Sequence, residues 1–136
     1  MATKRNTPMQ PYYMPGHSRP VRKVVHNQDG DLLFSCSDDG KVAMYDTFQC
    51  VRTGQFDVQS ACNSIDVTKD SKYVLATSES GIIVFNTKDG SKAAEFSIPG
   101  YRKMQVTLAF GDSKFLVLYM ERKTTFIRIY DLNTVV

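Results

Sequence analysis

A chain of 136 residues with 42% hydrophobic and 23% charged residues has room for one ordinary domain with a core, which argues against intrinsic disorder. No run approaches the roughly 18 apolar residues of a membrane-spanning helix, and Lys4 and Arg5 are not followed by the apolar core of a signal peptide. A cytosolic or nuclear address is therefore expected, the cytoplasm first, with no membrane partner. The formal charge of +3 is uneven: residues 1–26 carry Lys4, Arg5, Arg19, Arg22 and Lys23 and no acid, and the remainder has 12 basic against 14 acidic residues.

In chain order, residues 1–8 read as a basic flexible leader. Tyr12 and Tyr13 follow in a short stretch where alternation would turn one ring inward and one outward. The first strong turn is Asp29-Gly30, because Gly tolerates positive φ and Asp hydrogen-bonds its own backbone. It leads into the apolar run Leu32-Leu33-Phe34, a second such turn at Asp39-Gly40, and the run Val42-Ala43-Met44-Tyr45. The same order returns with Asp70-Ser71, Tyr73-Val74-Leu75-Ala76 and Ile82-Ile83-Val84-Phe85, closed by Asp89-Gly90. It returns again with Asp112-Ser113, Phe115-Leu116-Val117-Leu118, the longer polar turn Glu121-Arg122-Lys123 and Phe126-Ile127-Arg128-Ile129-Tyr130.

Short, nearly continuous apolar runs between turn signals are the pattern of strands covered on both faces, and no segment offers a helical stripe of three turns. The turn aspartates Asp29, Asp70 and Asp112 are 41 and 42 residues apart, and the closing aromatics Tyr45, Phe85 and Tyr130 are 40 and 45 apart. Both ladders fall in or close to the window of roughly 40–45 residues that makes one four-stranded propeller blade. The fold class expected is all-β, a series of up-and-down meanders.

Three cysteines, Cys36, Cys50 and Cys62, make an odd count without a C-x-x-C pair, so neither a full disulfide framework nor a zinc knuckle is supported. Reduced thiols are expected, with Cys36 and Cys62 inside strands. His17 and His26 are nine residues apart with no matching carboxylate or thiol set, and Gly40-Lys41 lacks the upstream Gly of a phosphate loop. No metal or cofactor is implied. His17, Ser35 and the Asp38-Asp39 pair supply the residue types of a hydrolase triad, but a catalytic Ser needs an exposed Oγ beside a base and an oxyanion hole, and no Gly-x-Ser-x-Gly elbow is present.

From Gly16-His17 to Tyr45-Asp46 the chain resembles a WD40 repeat: Gly16, His17, Val21, Asp29, Gly30, Ser35, Asp39, Tyr45 and Asp46 stand at the pattern's positions, with Tyr45 where Trp is usual. The resemblance implies that His17, Ser35, Asp39 and Tyr45 form a structural tetrad, a buried hydrogen-bond network tying strands together. Repeats two and three lack Gly-His, so only the first should own a tetrad. Met9-Gln10-Pro11, Pro15-Gly16-His17 and Gly30-Asp31-Leu32-Leu33-Phe34 further resemble the start of the WD-repeat subunit of eukaryotic translation initiation factor 3.

That resemblance implies about three four-stranded blades of a larger ring of about seven, over residues 9–136. The stretch 9–15 would be a blade-closing strand, and the repeats would cover 16–54, 55–97 and 98–136. An arc of that kind should leave an apolar blade face bare at each end.

For function the resemblance implies a non-catalytic scaffold, not an enzyme, in contact with other subunits of the factor and through them with the small ribosomal subunit. A generic interaction scaffold of another complex, such as a signalling one, shares the same motifs. A different class is direct, weak RNA contact through the basic patch Arg19, Arg22 and Lys23, with Tyr12 and Tyr13 as stacking surfaces.

Overall fold

The repeated apolar runs become the two middle strands of the first two sheets, where both faces are covered and continuous hydrophobicity costs nothing, and the middle strand and one edge strand of the third. In the computed structural model, which describes residues 10, 11, 13, 14, 16–98, 102–109, 113–121 and 123–135, the chain forms three antiparallel sheets. The first has the order β1 (Val21–His26), β2 (Leu32–Ser37), β3 (Lys41–Asp46), β4 (Val51–Asp57). The second repeats it with β5 (Ile65–Val67), β6 (Tyr73–Thr77), β7 (Gly81–Asn86) and β8 (Lys92–Ser97). The third has β9 (Arg102–Ala109), β10 (Lys114–Glu121) and β11 (Thr124–Asp131), followed by the one-turn helix α1 (Leu132–Val135).

Register makes the repeat explicit. Leu33 faces Tyr45, Val74 faces Phe85 and Phe115 faces Tyr130, so the closing aromatics are equivalent and the positions around them can be matched. In the first two sheets the ladder to the fourth strand shifts at the same point, just before Tyr45 and just before Phe85, a bulge that bends the outer strand. The turns behave as the dipeptides require: Gly30 and Gly40 have φ of 76° and 83°, and Ser71, at the place of Gly30, also has positive φ at 61°.

Two apolar cores lie between successive sheets. Phe34, Cys36, Val42 and Phe56 of the first sheet pack on Ile65, Val74, Ala76, Ile83 and Phe85 of the second. Leu75, Ile82 and Val84, on the second sheet's other side, pack on Met104, Val106, Phe115, Val117 and Tyr119 of the third. Each fully buried Phe, Ile or Val stabilises by about 1.5–3 kcal/mol relative to exposure. A Phe on the fourth strand meets the closing aromatic of the next sheet in both cores: Phe56 with Phe85 at 5.5 Å and Phe96 with Tyr130 at 4.8 Å between ring centroids.

Four expectations change. The third sheet has three strands among the described residues, not four. After β11 the Asp131 carboxylate accepts the Asn133 N–H at 3.0 Å and its carbonyl accepts the Thr134 hydroxyl at 2.8 Å, which winds the chain into α1 and drops Leu132 into the core. In the stretch 9–15, residues 10, 11, 13 and 14 are not in a strand, since no described strand pairs with them; residues 9, 12 and 15, the leader 1–8 and Asp112 lie outside the described residues. The first sheet extends to Asp57, past the boundary expected at 54, because Val42 and Lys41 find their partners in Phe56 and Asp57. Cys62 is buried but sits in the loop between β4 and β5, not in a strand.

Candidate functional site

The site built from the sequence-selected residues is a polar cluster on the first sheet, on the side away from the second. Ser35 lies in the middle of β2, with Val24 and Ala43 as its ladder partners. Asp39 lies in the β2–β3 hairpin, where its Oδ1 accepts the Lys41 N–H at 3.0 Å and so shapes the turn. His17 precedes β1 and reaches both: Nε2 is 2.7 Å from Ser35 Oγ, and Nδ1 is 3.0 and 3.2 Å from the two Asp39 oxygens. The Ser18 N–H adds a further bond to Asp39 Oδ2 at 3.1 Å.

A carboxylate only accepts, so in the neutral imidazole Nδ1 carries the proton and Nε2 accepts from the Ser35 hydroxyl. Burial opposes ionisation of Asp39, but the N–H groups of Ser18 and Lys41 and the contact with His17 outweigh it and hold the carboxyl below its usual range. Tyr45 is 5% exposed and lies two residues from Ala43 on β3, which places it diagonally from Ser35 on the same face.

The order Ser–His–Asp is that of a nucleophilic triad, and the surroundings decide against that chemistry. The His17 side chain is 1% exposed and Ser35 is 5% exposed. Ser35 sits in a strand interior paired on both sides, so its backbone serves the ladder and does not form an oxyanion hole, and a substrate carbonyl has no approach to Oγ. The cluster can hold the β2–β3 hairpin and the segment before β1 together. The equivalent positions in the other sheets are Ala76 and Val117, both 0% exposed, so those sheets rely on apolar packing there.

The basic residues do not gather into one free patch. Arg22 forms a two-point pair with Asp38 through Nε at 2.8 Å and its terminal nitrogen, and Lys23 Nζ donates to Ser64 Oγ at 3.4 Å. Arg19 is exposed, and its carbonyl accepts from the Ser37 hydroxyl at 3.0 Å.

Two further polar clusters escaped sequence reading. Asn27, 2% exposed, donates to Asp31 Oδ1 at 2.6 Å and Ser71 Oγ at 3.0 Å and accepts the Leu32 N–H at 3.1 Å, linking the first sheet to the Asp70-Ser71 turn. Between the second and third sheets, Asp66 accepts the Leu108 N–H at 2.9 Å and Asn63 donates to the Met104 carbonyl at 3.0 Å. The only sequence signal for either is a small polar residue beside an apolar run.

Similarity to known proteins agrees with this geometry. Residues 9–46 match the WD40 family, described as WD domain, G-beta repeat. The chain is 33% identical over 119 residues to the eukaryotic translation initiation factor 3 subunit I of Caenorhabditis briggsae, covering 86% of this chain and 36% of that protein. It is 37% identical over 70 residues to the protein of the same name in Dictyostelium discoideum, covering 52% of this chain and 21% of the relative. The Schizosaccharomyces pombe protein of that name is 27% identical over 116 residues, covering 84% and 35%. The chain thus spans between about a fifth and a third of these relatives.

Among solved structures, the β-propeller domain of Cps50 (Swd1) from Myceliophteria thermophila superposes with a TM-score of 0.65 at 17% identity, over 83% of this chain and 39% of that one, a likeness of fold. With three stacked antiparallel sheets and a His–Ser–Asp tie in the matched segment, the chain carries a WD40 repeat, has the fold of a β-propeller segment and resembles subunit I of eukaryotic translation initiation factor 3.

Proposed function

We propose that this chain serves as a non-catalytic scaffold in translation initiation, as part of the subunit I component of initiation factor 3, binding other subunits of that factor in the cytoplasm and through them the small ribosomal subunit. The observation that carries the reading is the similarity to proteins of that name over as much as 86% of the chain. The inward-turned tie supports it as well: the one array with the residue types of a nucleophilic triad is sealed and holds strands together. Among the described residues no three His, Cys, Asp or Glu side chains gather where they would hold a metal ion, and no helix is long and apolar enough to cross a membrane.

Propellers bind by presenting loops and strand edges on a rigid frame, which takes neither cofactor nor reactive group. The test is affinity capture of the tagged chain from cytosol, washed at high salt and read by mass spectrometry. Recovery of initiation factor 3 subunits is the expected result. Recovery of a different complex in their absence withdraws the translation assignment and leaves the scaffold.

A further inference from the structure

Two of the three sheets show what covers the outer edge of the third. Aligned on the closing aromatics Tyr45, Phe85 and Tyr130, Ile127 of β11 matches Val42 and Ile82, Arg128 matches Ala43 and Ile83, and Ile129 matches Met44 and Val84. Opposite these places β4 sets Phe56, Gln55 and Gly54, and β8 sets Phe96, Glu95 and Ala94. The two covering strands thus share an order: a small residue, then Gln or Glu, then Phe. Among the described residues no strand lies along that edge of β11, so its outward N–H and C=O groups form an open ladder. We propose that the outer edge of β11 is a docking site for an extended segment of another chain, antiparallel to it, with a small residue opposite Ile129, an acid opposite Arg128 and a Phe opposite Ile127.

Each of the three positions has a physical reason. Ile127 and its ladder partner Leu118 turn to the bare side of the sheet with Ile129 and Met120, and all four are exposed. A Phe opposite Ile127 falls on that same side and covers apolar surface with its ring, as Phe56 and Phe96 do in the two cores. The small residue leaves room for a long side chain across the ladder: a Cβ on Gly54 would already lie 3.0 Å from the Met44 Cε. Arg128 turns to the other side, where its Nε donates to the Tyr119 hydroxyl at 3.0 Å and a terminal nitrogen to the Tyr130 hydroxyl at 3.3 Å. A guanidinium has five N–H donors, so an acid directly opposite adds a charged pair to an arginine already held in place.

A second copy of β11 fits this edge less well. Paired so that the isoleucine sides coincide, it can set only Thr124, Phe126, Arg128 or Tyr130 opposite Arg128, and none of these is an acid. The register centred on Arg128 opposes two cations. A partner strand of the stated chemistry has neither defect, and the ladder supplies affinity while the side chains on its two faces supply selectivity. The surface gives the scaffold reading a partner chemistry, but it rests on the comparison of the three sheets and holds whether or not the chain acts in translation.

The test uses a fluorescein-labelled peptide with the sequence of residues 91–98, SKAAEFSI, and the folded 136-residue chain. Anisotropy should saturate as the chain is added, and bound peptide should slow amide hydrogen exchange in β11 but not in β1, the edge strand of the first sheet. Glu95→Lys in the peptide should weaken binding by about fivefold or more, because an attractive pair becomes a repulsive one. Arg128→Glu in the chain should restore binding of the altered peptide. The first change leaves the chain itself untouched, so a folding defect cannot imitate its effect. Absence of saturable binding, affinity indifferent to both charge changes, or protection of β7 in place of β11 because the peptide displaces β8, overturns the proposal. So does a dimer in sedimentation whose β11 is protected without peptide, which assigns the edge to a second copy.

Discussion

Ile82 and Val84 on β7 and Ile127 and Ile129 on β11 occupy matching places in their sheets, three residues and one residue before the closing aromatic. The first pair is 0% exposed and the second is 64% and 61% exposed. β7 has β8 along its outer edge and the third sheet against its face; β11 has neither among the described residues. Even so β11 pairs with β10 through eight consecutive residues. Strand formation in this repeat follows from hairpin register and β-branched content, whereas burial comes from the next sheet. The bare face matches one of the two expected for an arc of blades. At the other end only the middle of the first sheet is covered, with Ala43 at 0% and Tyr45 at 5% exposure, while Val24 on β1, the ladder partner of Ser35, is 53% exposed.

A charge at the two equivalent positions breaks the comparison most strongly. Ile82→Asp buries a carboxylate without a partner and should destabilise by about 4 kcal/mol or more, enough to abolish cooperative unfolding. Ile127→Asp faces water and should change stability by less than about 1 kcal/mol. Urea denaturation of both variants checks the pair, and equal losses would mean that the β11 face is covered in solution.

Next in size is a steric test of the outer edge of β7. A Cβ on Gly81 would lie 1.9 Å from the Phe96 carbonyl oxygen and 2.8 Å from the Ser97 Cα, both backbone atoms of β8. Gly81→Ala should therefore force β7 and β8 apart and cost about 3 kcal/mol. At Gly54 the nearest atom is the Met44 Cε at 3.0 Å, the free end of a flexible chain, so Gly54→Ala should cost less than about 1 kcal/mol. Thermal melts of the two variants are expected to differ by several degrees.

What was legible beforehand was whatever repeats. Asp29 and Asp70, Gly40, and the closing aromatics Tyr45, Phe85 and Tyr130 carry local chemistry, turn dihedrals and strand hydrophobicity, and local chemistry returns at each period. His17, Ser35 and Asp39 were legible as a set through the family pattern, and the structure brings these three together. Illegible were the contacts that join one sheet to the next: Lys23 reaching Ser64, Asn27 reaching Ser71, and Cys62 lying against the end of β2. Each depends on how two sheets stack, which no window of sequence encodes. The α1 turn escaped for a different reason, since one residue, Asp131, was enough to divert the chain.

The tie at His17 offers a smaller effect with a pH signature. Asp39→Asn keeps the shape but removes the charge and one acceptor oxygen, leaving fewer acceptors for the donors of Ser18, Lys41 and His17, and should cost about 1–2 kcal/mol at pH 7. Because the folded carboxyl titrates below its unfolded value of about 3.9, its contribution is complete above that value and is lost as pH falls through the folded one. Unfolding free energies of parent and variant should therefore converge as pH falls below the ordinary carboxylate range. A constant gap across that range would mean that packing, not the charge, holds the hairpin.

The smallest effect is expected at Arg22. Its pair with Asp38 lies on the surface, and the Asp38 carboxyl is lowered mainly by the hydrogen bond from Arg22. Exposed pairs of this kind gain little because water and salt screen them and because two side chains must be ordered together. Arg22→Gln should leave the melting temperature unchanged between low and high salt, in contrast to the loss at Asp39, although both acids belong to one hairpin. The difference comes from burial: Asp39 is enclosed with its donors, and Asp38 exchanges one solvated partner for another. If Arg22→Gln instead lowers the melting temperature as much as Asp39→Asn, the two-point contact to Asp38 is the tie that holds the hairpin to β1, and the His17 cluster is secondary to it.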